Sequence, residues 1–141
     1  MLPTHRFGKA MAQLLIVDDD STIRHLIRRT LERTGHSMTE AENGREAIKS
    51  LTQNRADLVL LDLNMPQMEG IETVQEIRRT FPRTKIIVIS GVEAVYLRGS
   101  ELLGADAAMR KPFHPEELRE TVARVLDAPD RIGIPAARRQ S

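Results

Sequence analysis

The chain has no cysteine and no tryptophan, and only one tyrosine and three phenylalanines among 141 residues. Without thiols it can form neither a disulfide nor a thiolate metal centre. No apolar run approaches the ~18 residues that would span a membrane. The first ten residues carry Arg6 and Lys9 but no apolar stretch that could act as a signal-peptide core. A soluble, cytoplasmic protein is therefore expected. No Gly-rich phosphate loop, internal repeat or low-complexity tract is present. The four histidines, His5, His25, His36 and His114, are scattered through the chain, and none is placed to activate a serine, which excludes an acyl-transfer triad.

The net charge of +1 conceals an asymmetry. Residues 11–127 hold 16 Lys+Arg against 19 Asp+Glu, a net −3, and the two ends together supply +4. Nucleic-acid binding needs Lys and Arg clustered on the folded surface, so no nucleic-acid partner is expected. Nor is a membrane partner. The length suits one domain with a substantial core. The expected organisation is a flexible extension over 1–12, one domain over 13–127 and a flexible basic tail over 128–141.

Within the domain, apolar runs alternate with segments of helical period. Strands are expected at 13–17, 37–41, 57–61, 84–89 and 106–110, most of them apolar enough for burial on both faces. Ile23, Leu26, Ile27 and Leu31 fall on one helical face, with Ser21 as cap and Gly35 as stop. Ala47, Ile48 and Leu51 mark a second helix after Asn43-Gly44. Ile71, Val74 and Ile77 mark a third, ending before Phe81-Pro82. Glu93–Leu103 is a fourth, weakened by Gly99, and Leu118, Val122, Val125 and Leu126 mark a fifth after Pro115. Five strands alternating with five helices predict an α/β fold, a parallel sheet covered on both faces. The functional crevice of such a sheet lies outside the carboxyl ends of its strands.

Asp18, Asp19, Asp62, Ser90 and Lys111 all fall at such ends. Three or more carboxylates brought to one rim repel one another and need a counter-charge. Oxygen ligands without thiolates suit Mg²⁺, and Mn²⁺ fits the same set. Lys111 can neutralise carboxylate charge at rest and hold a phosphoryl oxygen during transfer. Ser90 adds a hydroxyl, and Gly91 beside it leaves room for an incoming group.

Ile16-Val17-Asp18-Asp19, Leu61-Asp62-Leu63-Asn64-Met65-Pro66 with Gly70, Ile89-Ser90-Gly91 and Lys111-Pro112-Phe113 together resemble the receiver domain of bacterial two-component response regulators. The resemblance covers roughly 13–127. It implies a flavodoxin-like five-stranded sheet of order 2-1-3-4-5 and a stand-alone, chemotaxis-regulator-like module that is not a turnover enzyme. Asp62 would be the phosphoacceptor, taking the group from a sensor histidine kinase or a histidine phosphotransfer protein. Asp18, Asp19, Asp62 and the backbone carbonyl of Asn64 would hold Mg²⁺, and Ser90 and Lys111 would bind phosphoryl oxygens. Lys111-Pro112 would be a cis peptide. Output would be contact with an unknown downstream protein, from a chain monomeric at rest that can dimerise when phosphorylated.

One departure bears on the switch. The family usually carries Tyr or Phe three residues before the lysine, and this chain has Ala108. Tyr96 is the candidate substitute aromatic, and Ser90 stands where threonine is commoner. The competing readings are a Mg²⁺-dependent aspartyl-phosphate phosphohydrolase, a flavin or nucleotide module on the same sheet, and a receiver cut from a longer DNA-binding regulator.

Overall fold

A computed structural model describes residues 11–63, 67–91 and 104–129. Five strands, β1 (Gln13–Val17), β2 (Ser37–Ala41), β3 (Leu58–Asp62), β4 (Lys85–Ser90) and β5 (Ala107–Arg110), form one parallel sheet in the order β2-β1-β3-β4-β5. Four α-helices accompany them among the described residues: α1 (Ser21–Leu31), α2 (Gly44–Gln53), α3 (Gln67–Thr80) and α4 (Pro115–Asp127). The expected order and the single-domain α/β class both hold. Strands 3, 4 and 5 each begin one residue later than expected. The expected helix over Glu93–Leu103, with Tyr96, lies outside the described residues, as do Asn64, residues 1–10 and residues 130–141; Ala12, expected in the flexible extension, is buried in the core.

The inner strands β1, β3 and β4 carry continuous apolar runs because the sheet is covered twice. Leu15, Val17, Val59, Leu61, Ile86 and Val88 face one side and pack with Ala47 and Leu51 of α2 and Val74 and Ile77 of α3. Leu14, Ile16, Leu58, Leu60, Ile87 and Ile89 face the other, with Ile27 and Leu31 of α1 and Leu118, Val122 and Leu126 of α4. Each such fully buried aliphatic side chain contributes about 1.5–3 kcal/mol. The edge strand β2 buries only Ala41. Its pattern is that of an edge, where one side of the backbone has no neighbouring strand.

Two details of α1 differ from expectation. Its cap is Asp20, whose carboxylate accepts the Thr22 N–H at 2.9 Å, and Ser21 is the first helical residue. Leu26 is 47% exposed. Successive helical residues turn by about 100°, so Leu26 lies a quarter-turn from the buried Ile27, beyond the edge of the apolar stripe. Gly35 does end this region, at φ 86°, a left-handed conformation that glycine adopts without steric cost. Asn43 caps α2 by accepting the Glu46 N–H at 2.8 Å. Pro115 opens α4 after His114, which is the cap by position without a side-chain hydrogen bond. Gly44 lets α2 approach α3 closely, since a Cβ there would lie 2.1 Å from Thr73 Oγ1.

Candidate functional site

Register brings the acidic residues together. Val17 of β1 pairs with Leu61 of β3, so Asp18 and Asp62 leave the sheet side by side. Asp62 pairs with Ile89, one residue before Ser90, and Ser90 pairs with Arg110, one residue before Lys111. Four side chains widely separated in sequence thus share one rim, and Asp19 follows Asp18 there. The chain reverses its direction of sheet growth at β1, with β2 on one side and β3 on the other, and such a switch point is where open α/β sheets bind ligands.

Carboxylate oxygens of Asp18, Asp19 and Asp62 lie within 4.8 Å of one another. Asp18 and Asp62 are buried and Asp19 is exposed, so the cluster opens to solvent on one side. Lys111 Nζ lies 3.2 Å from Asp62 Oδ1 and 3.6 Å from Asp18 Oδ2. The first distance permits a hydrogen bond and the second only a Coulombic attraction. Asp18 Oδ2 is accordingly a buried oxygen without a hydrogen-bond partner. Burial, and after it the neighbouring Asp62 charge, push the Asp18 carboxyl up to about 6, against the opposing hydrogen bond from the Asp20 backbone and the pull of Lys111.

An orphaned carboxylate oxygen beside two further carboxylates, one of them open to water, is a donor set that fits a hard divalent cation. Mg²⁺ takes a few carboxylates and completes its octahedron with water or phosphate oxygens. Ser90 is fully buried at the end of β4. Its carbonyl accepts the Lys111 N–H at 2.9 Å, which ties the β5 end to the β4 end. The Lys111-Pro112 peptide is cis, as the resemblance implied. Ala108 pairs with Val88 and packs, half-buried, against the α2/α3 side of the core.

The structure therefore brings Asp18, Asp19, Asp62, Ser90 and Lys111 to one rim and places Ala108 on the adjoining strand face. Arg24 was not singled out in the sequence, yet its Nη1 donates to the Asp18 carbonyl at 2.6 Å. An arginine one turn into a helix is ordinarily a solvated residue, so only its separation of six residues from Asp18 could have drawn notice.

Comparison with known proteins agrees with this geometry. Residues 14–123 match the family model described as the response regulator receiver domain. The transcriptional regulatory protein ResD of Bacillus subtilis is 44% identical over 115 residues, covering 80% of this chain and 46% of that one. Response regulator MprA of Mycolicibacterium vanbaalenii is 38% identical over 107 residues, 75% of this chain and 46% of that one. The chain thus spans about half the length of these relatives. Among solved structures, chemotaxis protein CheY4 of Vibrio cholerae superposes with a TM-score of 0.75 at 34% identity, covering 82% of this chain and 98% of that one.

Proposed function

This chain belongs to the response regulator receiver family, and from that premise we propose that it is a phosphorylation-controlled signalling module whose acceptor is Asp62. The observation that supports this most directly is the meeting at Asp62 of one ammonium, 3.2 Å away, with two further carboxylates. The donor is a phosphohistidine of a sensor histidine kinase or a histidine phosphotransfer protein, and the reaction is cytoplasmic. A carboxylate oxygen of Asp62 attacks phosphorus, the new P–O bond forms as the P–N bond breaks, and the imidazole leaves with the electron pair. The product is an acyl phosphate.

Phosphoryl transfer depends on in-line positioning and neutralisation of spread charge more than on covalent help. Mg²⁺, or Mn²⁺ in its place, supplies that neutralisation when bound. Asp18, Asp19 and Asp62 would hold it, together with the backbone carbonyl of Asn64. Lys111, already poised between Asp18 and Asp62, pairs with one phosphoryl oxygen, and the Ser90 hydroxyl donates to another. The modification adds about one negative charge and new acceptor oxygens beside Ser90, which biases the segment that follows it. With Ala108 on β5, that bias is not read by an inward-turning aromatic at this position. Tyr96 is the one tyrosine available to replace it.

The test is Asp62→Asn. Labelling by a small phosphodonor with Mg²⁺ should be abolished with the nucleophilic carboxylate, read as loss of the phosphorylated species by intact mass. Undiminished labelling overturns the assignment. For output, the leading reading is regulated contact with another protein. A second reading, a receiver joined to a DNA-binding segment, is favoured by relatives of about twice this length that are named transcriptional regulators. Sequencing the reading frame beyond Ser141 separates the two.

A further inference from the structure

Arg24 and Arg28 stand one turn apart on α1 and share a single carboxylate on the edge strand. Arg24 Nε donates to Glu40 Oε1 at 2.8 Å, and Arg28 Nε donates to Glu40 Oε2 at 2.7 Å. Their second contacts differ. Arg28 Nη2 reaches the Met38 carbonyl at 3.2 Å, which ties α1 to β2 and nothing more. Arg24 Nη1 reaches the Asp18 carbonyl at 2.6 Å, in the loop that carries the acidic cluster. The Arg24 side chain is the better shielded of the two, at 15% exposure against 37%.

Asp18 is otherwise held at two atoms. Its N–H donates to Ala41 O at 3.2 Å, and its Oδ1 accepts the Asp20 N–H at 2.9 Å. With the Arg24 contact, both backbone groups and one carboxylate oxygen are fixed, and Oδ2 alone lacks a hydrogen bond, next to Lys111 and the cluster. We propose that Arg24 is a positioning residue of the acidic site: oriented by Glu40, it clamps the Asp18 carbonyl and thereby sets where Asp18 Oδ2 presents itself to a bound divalent cation. The planar guanidinium serves two acceptors at fixed angles, which an ammonium does not. Outer contacts of this kind tune metal sites by roughly 10- to 100-fold.

This inference rests on the reading of the cluster as a Mg²⁺ site, and charge provides the means of testing it separately. Removing a cation near a cation site strengthens metal binding by Coulomb's law, whereas removing a positioning contact weakens it. Arg28 shares the charge and the Glu40 contact but not the Asp18 contact, so it is the internal control. Mg²⁺ affinity is to be measured by titration calorimetry on the full chain, beside the thermal unfolding midpoint in EDTA, for Arg24→Met, Arg28→Met and Arg24→Lys. Arg24→Met should weaken Mg²⁺ binding by about tenfold and Arg24→Lys by less. Arg28→Met should bind Mg²⁺ as tightly as wild type or more tightly, although both Met variants lose comparable thermal stability.

Unchanged or tighter binding by Arg24→Met, or an equal loss in Arg28→Met, overturns the proposal. Should Arg24→Met fail to fold, Arg24→Lys against Arg28→Lys carries the comparison: weakening confined to the first is expected, and equal affinities overturn it. A wild-type chain that takes up no Mg²⁺ fails the metal reading, and the positioning role falls with it. Wild-type binding with an unmoved Arg24→Met fails the positioning role alone.

Discussion

The two rims of the sheet handle charge in opposite ways. At the rim where strands begin, Lys85 and Arg78 are both compensated. Lys85 is buried at the start of β4, and its Nζ donates to the carbonyls of Val125, at 2.9 Å, and Ala128 at the end of α4. A cation there meets both the terminal carbonyls and the negative end of the helix dipole. Arg78 of α3 donates to the carbonyls of Gly104, Pro82 and Thr84 and to Asp106 Oδ2, which also accepts the Ile86 N–H. At the rim where strands end, three carboxylates crowd together with Lys111 between two of them, and one buried oxygen has no hydrogen bond. Cations at the first rim are spent on stability. Strain from like charges at the second is relieved only when a further cation or a proton arrives.

The largest expected effect lies at the compensated rim. Lys85→Met removes the buried ammonium from the Ala128 carbonyl and leaves the Val125 carbonyl with the Ala128 N–H, and should cost about 2–4 kcal/mol of stability, measured by urea unfolding. Phosphate accepted per folded molecule should stay unchanged. A parallel loss of acceptance would show that the rims are coupled.

At the crowded rim the sign reverses. The Asp18 carboxyl is raised from 3.8 to about 6 in the folded protein, so the folded form holds that proton more tightly than the unfolded chain. Its contribution to stability is full below about 3.8 and is lost as pH rises through about 6. Asp18→Asn, which keeps an oxygen to accept the Asp20 N–H, should therefore stabilise the metal-free protein by about 1–3 kcal/mol at pH 7.5. The gain should shrink as pH falls toward about 4, and melting curves in EDTA across that range check it. Destabilisation at pH 7.5 would mean that Lys111 already compensates the cluster.

The smallest effect belongs to His36, back at the compensated rim. Its Nδ1 accepts the Ala12 N–H at 3.3 Å, and burial holds its pKa below the ordinary 6.5, with the Asp57 carboxylate pulling the other way. The folded form binds this proton less tightly than the unfolded chain, so the stability it contributes is present above 6.5 and lost as pH falls below it. In the Asp18→Asn background, free of the opposing Asp18 slope, the melting midpoint should decline on that limb, and His36→Asn should flatten it.

The regular elements were legible because burial on both faces of a parallel sheet leaves a one-dimensional trace: Leu58–Leu61 and Ile86–Ile89 are continuous apolar runs, and each ends where the polar site residue begins. The site was legible for the same reason, since strand ends in register share a rim. Leu26 was misplaced because four apolar residues do not say how far round the helix the neighbouring elements reach. The α1 cap was missed by one residue because Asp20 and Ser21 are both good caps. The Asp18 turn, with Oδ1 bonded to the Asp20 N–H, selects Asp20.

Alone, the sequence determined the element order, the two-sided core and the residue types at the strand ends, all of which follow from local periodicity and from the solvation cost of apolar and charged groups. Only the tertiary structure decided the partners: that Lys111 sits nearer Asp62 than Asp18, that Lys85 serves α4 and not the site, and that Arg24 and not Arg28 holds the Asp18 carbonyl. Hydrogen bonds fall off within a few tenths of an ångström, and such distances between residues remote in sequence are set by how elements rotate and slide as they pack, which no local pattern encodes.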